Sequence, residues 1–305
     1  MGKPTSPVVD LNAALLLLLL AAVWGGSFFF AEVALRELPP LVITLFRVSL
    51  AVPVLLAVVV LRGVPITRSL RVWRAYLVMG ALNNAIPFSL IFWGQTQIES
   101  GLASILNGTT AMFGALVAGL LLPDEPLRAN KLIGAALGLA GVAFIMGPDA
   151  LQDFNLTNLA QLAILGATLS YAFASVWGKT TLAGQPPLMN ALGMVVCSSA
   201  LMLPIVWFAH GVPSLAFQPA TWGALLGLAV LSTALAYLLY FAILARAGAA
   251  NLMLVTLLIP PFAITLGALF LSERIGIQAL AGFAVIAIGF AVTDGRLFAR
   301  LRQRR

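Results

Sequence analysis

Mainly apolar runs of about twenty residues follow one another along almost the whole of this chain, and this succession limits its fold more than any other feature. A helix needs roughly 20 mainly apolar residues to cross the hydrocarbon core of a bilayer. Broken at its polar, charged and proline clusters, the sequence yields runs near 11–31, 41–61, 73–93, 98–121 and 129–147. A second set lies near 159–178, 188–209, 221–243, 250–271 and 276–293. The expectation is an all-α integral membrane protein of ten transmembrane helices, with lipid as its surroundings. Only 9% of the 305 residues are charged, against roughly 25% in a soluble domain, which leaves no place for a second, soluble domain. Lys3 ahead of the first run imitates a secretory leader. The run continues to Ala31, however, longer than the 7–15 residues typical of a leader's apolar region, so a retained first helix is expected.

A net charge of +7 could suggest a nucleic-acid partner, but the basic residues fall in the connections and the tail rather than on one face, and none is expected. They read instead as a topology signal, because Lys and Arg near helix ends stay on the cytoplasmic side. With the amino terminus inside, the inner segments hold Lys3, Arg62, Arg68, Arg71, Arg74, Arg128, Lys131, Lys179, Arg246 and five arginines from Arg296 to Arg305. The outer connections hold Arg36 and Arg274, and Arg47 falls within the second run. Both termini are thus expected in the cytoplasm, which requires an even number of spans. Cys197 is the one cysteine, so neither a disulfide nor a cysteine-based metal cluster is available. No cofactor is implied.

Displacing the chain against itself by 147 or 148 residues brings matching features together. Pro39-Pro40 falls on Pro186-Pro187, Glu125 on Glu273, Gly119 on Gly267, Gly134 on Gly282 and Gly141 on Gly289. Two five-helix halves follow, residues 1–147 and 148–305, the second ending in a basic tail. Five is odd, so the second half must enter the membrane from the other side. Inverted repeats of this kind are common in secondary transporters.

The stretch AAVWGGSFFFAEVALRELPPLVITLFRVSLA (21 to 51) resembles the opening of an EamA-type member of the drug/metabolite transporter superfamily. PDEPL at 123 to 127, with the glycine-rich helix after it, is similar to the end of that repeat, and LSERIGIQALAGFAVIAIG (271 to 289) to its second copy. Within the family, the YddG-type aromatic amino acid exporters are the nearest resemblance. It implies ten helices around a central cavity, and export of amino acids or related small metabolites from a bacterial inner membrane.

Polar groups at membrane depth are costly unless they face a cavity or a partner. Asn83 and Asn84, followed by Pro87 and Phe88, lie mid-way along the third run, and the repeat sets Ser232 against Asn84. The fourth run carries Ser104 and Gly108, and its counterpart Thr256, Pro260 and Pro261. Proline removes a backbone donor and crowds the preceding turn, so Pro260-Pro261 is expected to break or bend the ninth helix, and Pro87, Pro260 and Pro261 to serve as gate hinges. Trp24 and Phe28 share a face of the first helix, with Tyr171, Trp177 and Tyr237 as further aromatic candidates for the cavity wall. For each of these residues packing, interhelical bonding or an interfacial belt is the competing explanation. No Asp or Glu falls mid-span, so no proton carrier can be named, and Arg47 is expected to pair with a helix end or a nearby Glu, with binding of a substrate carboxylate as the alternative.

Two other classes compete with a transporter using alternating access. An intramembrane enzyme would need a nucleophile with its base, a metal cluster or paired acids. The lone His210 at a span end and the lack of paired mid-span acids argue against one. A membrane receptor or scaffold without transport would have no use for a polar interior seam.

Overall fold

The computed structural model describes residues 11–146 and 156–294. Lys3, the tail from Arg296 and the expected junction at 147 and 148 lie outside the described residues. The helices are α1 (Leu11–Leu35), α2 (Pro40–Leu61), α3 (Leu70–Gln95), α4 (Ser100–Leu121), α5 (Ala129–Met146), α6 (Leu156–Thr181), α7 (Pro187–His210), α8 (Pro219–Gly248), α9 (Val255–Phe270) and α10 (Ile277–Asp294). The first eight are long and apolar enough to span a bilayer alone, and α9 and α10 are shorter apolar helices. The ten expected spans are all present.

The proline pairs act as helix starts. Pro39 and Pro186 adopt ψ of 150° and 132° just outside α2 and α7, while Pro40 and Pro187 occupy the first helical position, where a missing N–H costs nothing. At the other end of α2, Gly63 takes φ of +63°, and the Val64 N–H closes back onto the Val59 carbonyl at 3.0 Å. Gly248, at φ +75°, turns the chain out of α8 into a short helical lead to Leu252 and then α9.

The halves are inverted in space. Gly134 of α5 lies against the Gly289 carbonyl of α10, and Gly141 against that of Gly282. The early residue of one helix meets the late residue of its repeat mate, so the two equivalent helices are antiparallel and related by a two-fold axis. A Cβ at Gly141 would stand 2.9 Å from the Gly282 carbonyl, and one at Gly289 2.6 Å from the Gly134 carbonyl. These glycines let the backbones touch, as small residues do in membrane interfaces.

Since ten spans return the chain to its starting side, the connections form two faces: a terminal face, where α1 begins and α10 ends, and an opposite face. Ties between the halves hold both. On the terminal face Lys179 of α6 binds Asp124 at 2.6 Å and Glu125 at 2.7 Å, in the α4–α5 connection. The hydrogen bond from Lys179 holds the Asp124 carboxyl below its ordinary value. On the opposite face Glu37 accepts from Thr221 Oγ and the Gln218 N–H (3.1 Å) at the start of α8. Glu273 accepts from the Ser100 N–H (3.0 Å), Ser100 Oγ (2.8 Å) and the Gly101 N–H (3.2 Å) at the start of α4. Each carboxylate satisfies orphan donors at the positive end of a helix.

Gly141→Leu should therefore force α5 and α10 apart, since the new side chain meets backbone that cannot yield. Thermal unfolding of the purified protein in detergent is expected to show a loss of about 1–3 kcal/mol, the usual cost of overpacking. A loss of similar size is expected for Gly282→Leu, its contact partner.

Candidate functional site at the interrupted helices

The third and eighth helices are not α-helical throughout. Ala81–Ala85 in α3 and Gly227–Leu235 in α8 are π-helical, and the repeat superposes the first stretch on residues 229–233 of the second. π segments widen the helix and leave carbonyls without their normal partners, often at functional sites. In α3 the Ile86 N–H reaches back five residues to the Ala81 carbonyl. The next residue is Pro87, which has no N–H to offer the Leu82 carbonyl. Ser170 of α6 supplies the missing donor, its Oγ at 2.6 Å from that carbonyl.

Asn84 is fully buried here, and its two amide groups are both used. Nδ2 donates to Ser198 Oγ of α7 at 3.0 Å, and Oδ1 accepts from the Tyr237 hydroxyl of α8 at 2.8 Å. Asn83 donates to Tyr237 Oη at 3.3 Å and makes a longer contact to Met194 Sδ at 3.6 Å. The sequence-predicted Asn83, Asn84 and Tyr237 thus form one network. Ser198, which bonds the Gly80 carbonyl and ties α7 to α3, was missed, although its place mid-way along an apolar run could have marked it.

In α8 an arginine from the other half, rather than a serine, reaches into the π-helical stretch. Arg47 of α2 is 5% exposed. Its Nε donates to Thr233 Oγ at 3.0 Å and Nη2 to the Ser232 carbonyl at 3.2 Å. Its guanidinium lies 3.7 Å from the centre of the Phe88 ring, within cation–π range. The expected glutamate or helix-end partner is thereby corrected: Arg47 is held by a hydroxyl and a backbone carbonyl within the π-helical stretch of the other half. Ser232 Oγ donates in turn to the Val23 carbonyl of α1 at 2.9 Å. Tyr171 and Tyr237 are the titratable side chains that act on Arg47 electrostatically.

The fourth helix is broken as well, into Ser100–Asn107 and Thr110–Leu121, and the chain is interrupted again at Met253–Leu254 before α9. Both breaks are tight turns, with the Thr109 N–H on the Leu106 carbonyl (3.1 Å) and the Thr256 N–H on the Met253 carbonyl (3.1 Å). Of the expected break or bend at Pro260 and Pro261, the break does not occur there. α9 runs through both, and the interruption lies upstream, where Thr256 Oγ also takes the Met253 carbonyl at 2.8 Å. The prolines act on the backbone instead: Pro260 withholds the N–H that would engage the Thr256 carbonyl four residues back. Gly108 packs against that carbonyl, a Cβ there standing 3.6 Å away. Gly108 and Thr256 are repeat mates, so the two-fold axis passes between them. Pro261 is exposed on the outside of the bundle.

The remaining candidates spread out from this centre. Ser104 is fully buried, bonded to the Gly101 carbonyl at 2.6 Å. Trp24 packs at 6.2 Å on Tyr240. Phe28 sits towards the opposite face, its carbonyl accepting from Gln95 Nε2 at 2.9 Å. Trp177 is held near the terminal face by its indole N–H on the Ala75 carbonyl at 3.0 Å.

Two inverted five-helix halves that interrupt their helices at matching depths, with polar groups filling the gaps, have the architecture of a secondary transporter. Comparison with known proteins agrees: the model of the EamA-like transporter family matches residues 11–147 and again 158–293, and the chain belongs to that family. It is 24% identical over 260 residues to the uncharacterized transporter YoaV of Bacillus subtilis, covering 85% of this chain and 88% of the relative. It is 28% identical over 270 residues to YvbV of the same organism, covering 87% and 85%. A probable terminal-alkyne amino-acid exporter of Streptantibioticus cattleyicolor is 24% identical over 225 residues, covering 73% and 74%. A solved crystal structure shares the fold at a TM-score of 0.67 and 20% identity, over 95% of this chain and 99% of that one.

Asn84→Leu takes away the acceptor of the Tyr237 hydroxyl and should cost about 1–3 kcal/mol, the range for buried polar groups left unpaired. Calorimetry in detergent measures it. Tyr237→Phe added to that variant should cost less than Tyr237→Phe alone, because its partner has already gone.

Proposed function

We propose that this protein is a secondary transporter that exports amino acids or related small metabolites, aromatic ones among them, by alternating access across a bacterial inner membrane. Both termini lie in the cytoplasm in this reading, so the terminal face is the inner one. The Lys and Arg distribution supports that orientation.

One observation carries the choice of substrate class: Arg47 is buried at membrane depth and, among the described residues, forms no ion pair. Its donors to Thr233 and Ser232 leave Nη1 without a partner among the described residues. A planar guanidinium held by one edge, with N–H groups to spare, suits a carboxylate. The Thr256 carbonyl, denied its helix donor by Pro260, is an acceptor of the kind an ammonium group needs. Trp24, Phe28, Phe88, Tyr171, Trp177 and Tyr237 supply rings for an apolar or aromatic side chain. Asn83, Asn84, Ser104, Gly108 and Ser232 complete the lining, the units are residues 1–147 and 148–305, and Pro87, Pro260 and Pro261 are the hinges of gate motion. The amino-acid exporter among the relatives supports the same class.

Counterflow in proteoliposomes tests this with labelled aromatic, aliphatic and hydroxylated amino acids. The expected result is saturable exchange of at least one aromatic amino acid, lost in Arg47→Gln. Binding without flux would point instead to a receptor. In a Cys197→Ser background, cysteines at positions 84, 232 and 256 should react with aqueous thiol reagents from at least one side; protection of all three would remove them from the pathway.

A further inference from the structure

The inverted repeat makes the two faces comparable residue by residue, and at one place they carry opposite chemistry. Lys179 and Glu32 are mates at a displacement of 147, and Glu125 and Glu273 at 148. On the inner face the pair is Lys179 with Glu125, opposite charges 2.7 Å apart. On the outer face the same two positions are both glutamates.

Glu32 is directed to that place by packing. α1 runs along α9, with Gly25 against Ile259 and Phe262, and the Phe29 ring tilted against that of Phe270 near the end of α9, centroids 5.7 Å apart. Glu32 lies one turn further along. The charged groups that act on it are Glu273 after α9, Glu99 before α4, and Arg36 one turn on along its own helix. Among the described residues it forms no ion pair, and its Oε2 is buried without a hydrogen-bond donor. The Gln95 amide lies beside its carboxyl. Gln95 is itself 3% exposed, with Nε2 committed in part to the Phe28 carbonyl and a buried Oε1 that has no donor either.

We propose that Glu32 is a proton-binding carboxyl group that decides whether Glu273 keeps its hold on the start of α4. This rests on the transporter reading and gives it an ion. Two carboxylates in one partly dry site cannot both stay charged without strong repulsion, and one of them takes a proton. Glu32 is the one that takes it, because its Oε2 has no donor, whereas the Glu273 carboxyl already accepts from the N–H groups of Ser100 and Gly101 and from the Ser100 hydroxyl at the positive end of α4. With a proton on Glu32, repulsion vanishes and a donor appears where two acceptor oxygens lacked one. The clasp holds and the outer face is closed. When that proton leaves to the outer medium, Glu32 and Glu273 repel and the clasp on α4 fails. The first piece of α4, Ser100–Asn107, is then free to swing about the break at Gly108. The outer gate opens with release of one proton and closes with its uptake.

Full-length protein with Cys197→Ser and spin labels at positions 97 and 277, on either side of the clasp, tests this in liposomes by pulsed electron resonance between pH 5.5 and 8.5. A short distance is expected at low pH, with a longer population growing as pH rises. The ratio of the two should change about tenfold per pH unit around the midpoint, the slope of one titrating proton. Glu32→Gln, an isosteric copy of the protonated form, should hold the short distance at every pH, while Glu99→Gln keeps the transition. A Glu32→Gln protein with the wild-type transition, or a wild-type distance insensitive to pH, overturns the proposal. No substrate is present, so either failure is separate from a failure of counterflow.

Discussion

Every backbone N–H and C=O at membrane depth must find a partner inside the protein, because lipid offers none. An unbroken helix meets this demand alone. α3 and α8 depart from it, and their departures are instructive because of who supplies the partners. The carbonyl released beside Pro87 is met by Ser170, and the Ser232 carbonyl in the π-helical stretch of α8 by Arg47. Each donor comes from the other half. The interruptions are thus affordable only while the two halves face each other, which makes the meeting surface both the weakest point of the secondary structure and the place where a polar solute could take over a protein group's role.

The repeat imposes geometry without imposing chemistry. Mates occupy equivalent places, yet Arg47 corresponds to Met194, so the unwound stretch of α8 is met by a guanidinium where that of α3 faces a thioether. Near the faces Lys179 corresponds to Glu32. Strict symmetry would make the two orientations of a transporter equal in energy, and a charge placed in one half alone removes that equality. The substituted positions are therefore where direction and coupling can enter, while Gly134, Gly141, Gly282 and Gly289, identical in both halves, keep the shared scaffold closed.

The fold was legible because its cause is nearly one-dimensional. Apolar length names a span, a proline pair names a helix start, and a displacement of 147 or 148 exposes the duplication. The site was legible only in part. Asn83, Asn84, Pro87 and Ser232 could be marked because polar groups and prolines stand out against apolar runs. Two things could not be read. The π segments leave no compositional trace, since GLAVLSTAL resembles any other apolar helix, and they exist because neighbouring helices satisfy the carbonyls they release. The break at Met253–Leu254 was masked by the prolines after it, whose effect is to strip donors from a continuing helix rather than to end it.

Arg47 shows why span position alone misleads about charge. Seen in sequence, an arginine several residues inside an apolar run calls for an acidic partner. In space it meets a carbonyl, a hydroxyl and an aromatic face, each weaker than a carboxylate and together enough to keep the guanidinium oriented. An acid in that place would neutralise the charge permanently and close the site to anions. Dipoles and a π face leave the positive charge in being, and the guanidinium stays oriented without being neutralised. The same principle separates the two faces: Lys179 beside Glu125 is a settled pair, whereas its repeat mate Glu32 forms no ion pair among the described residues.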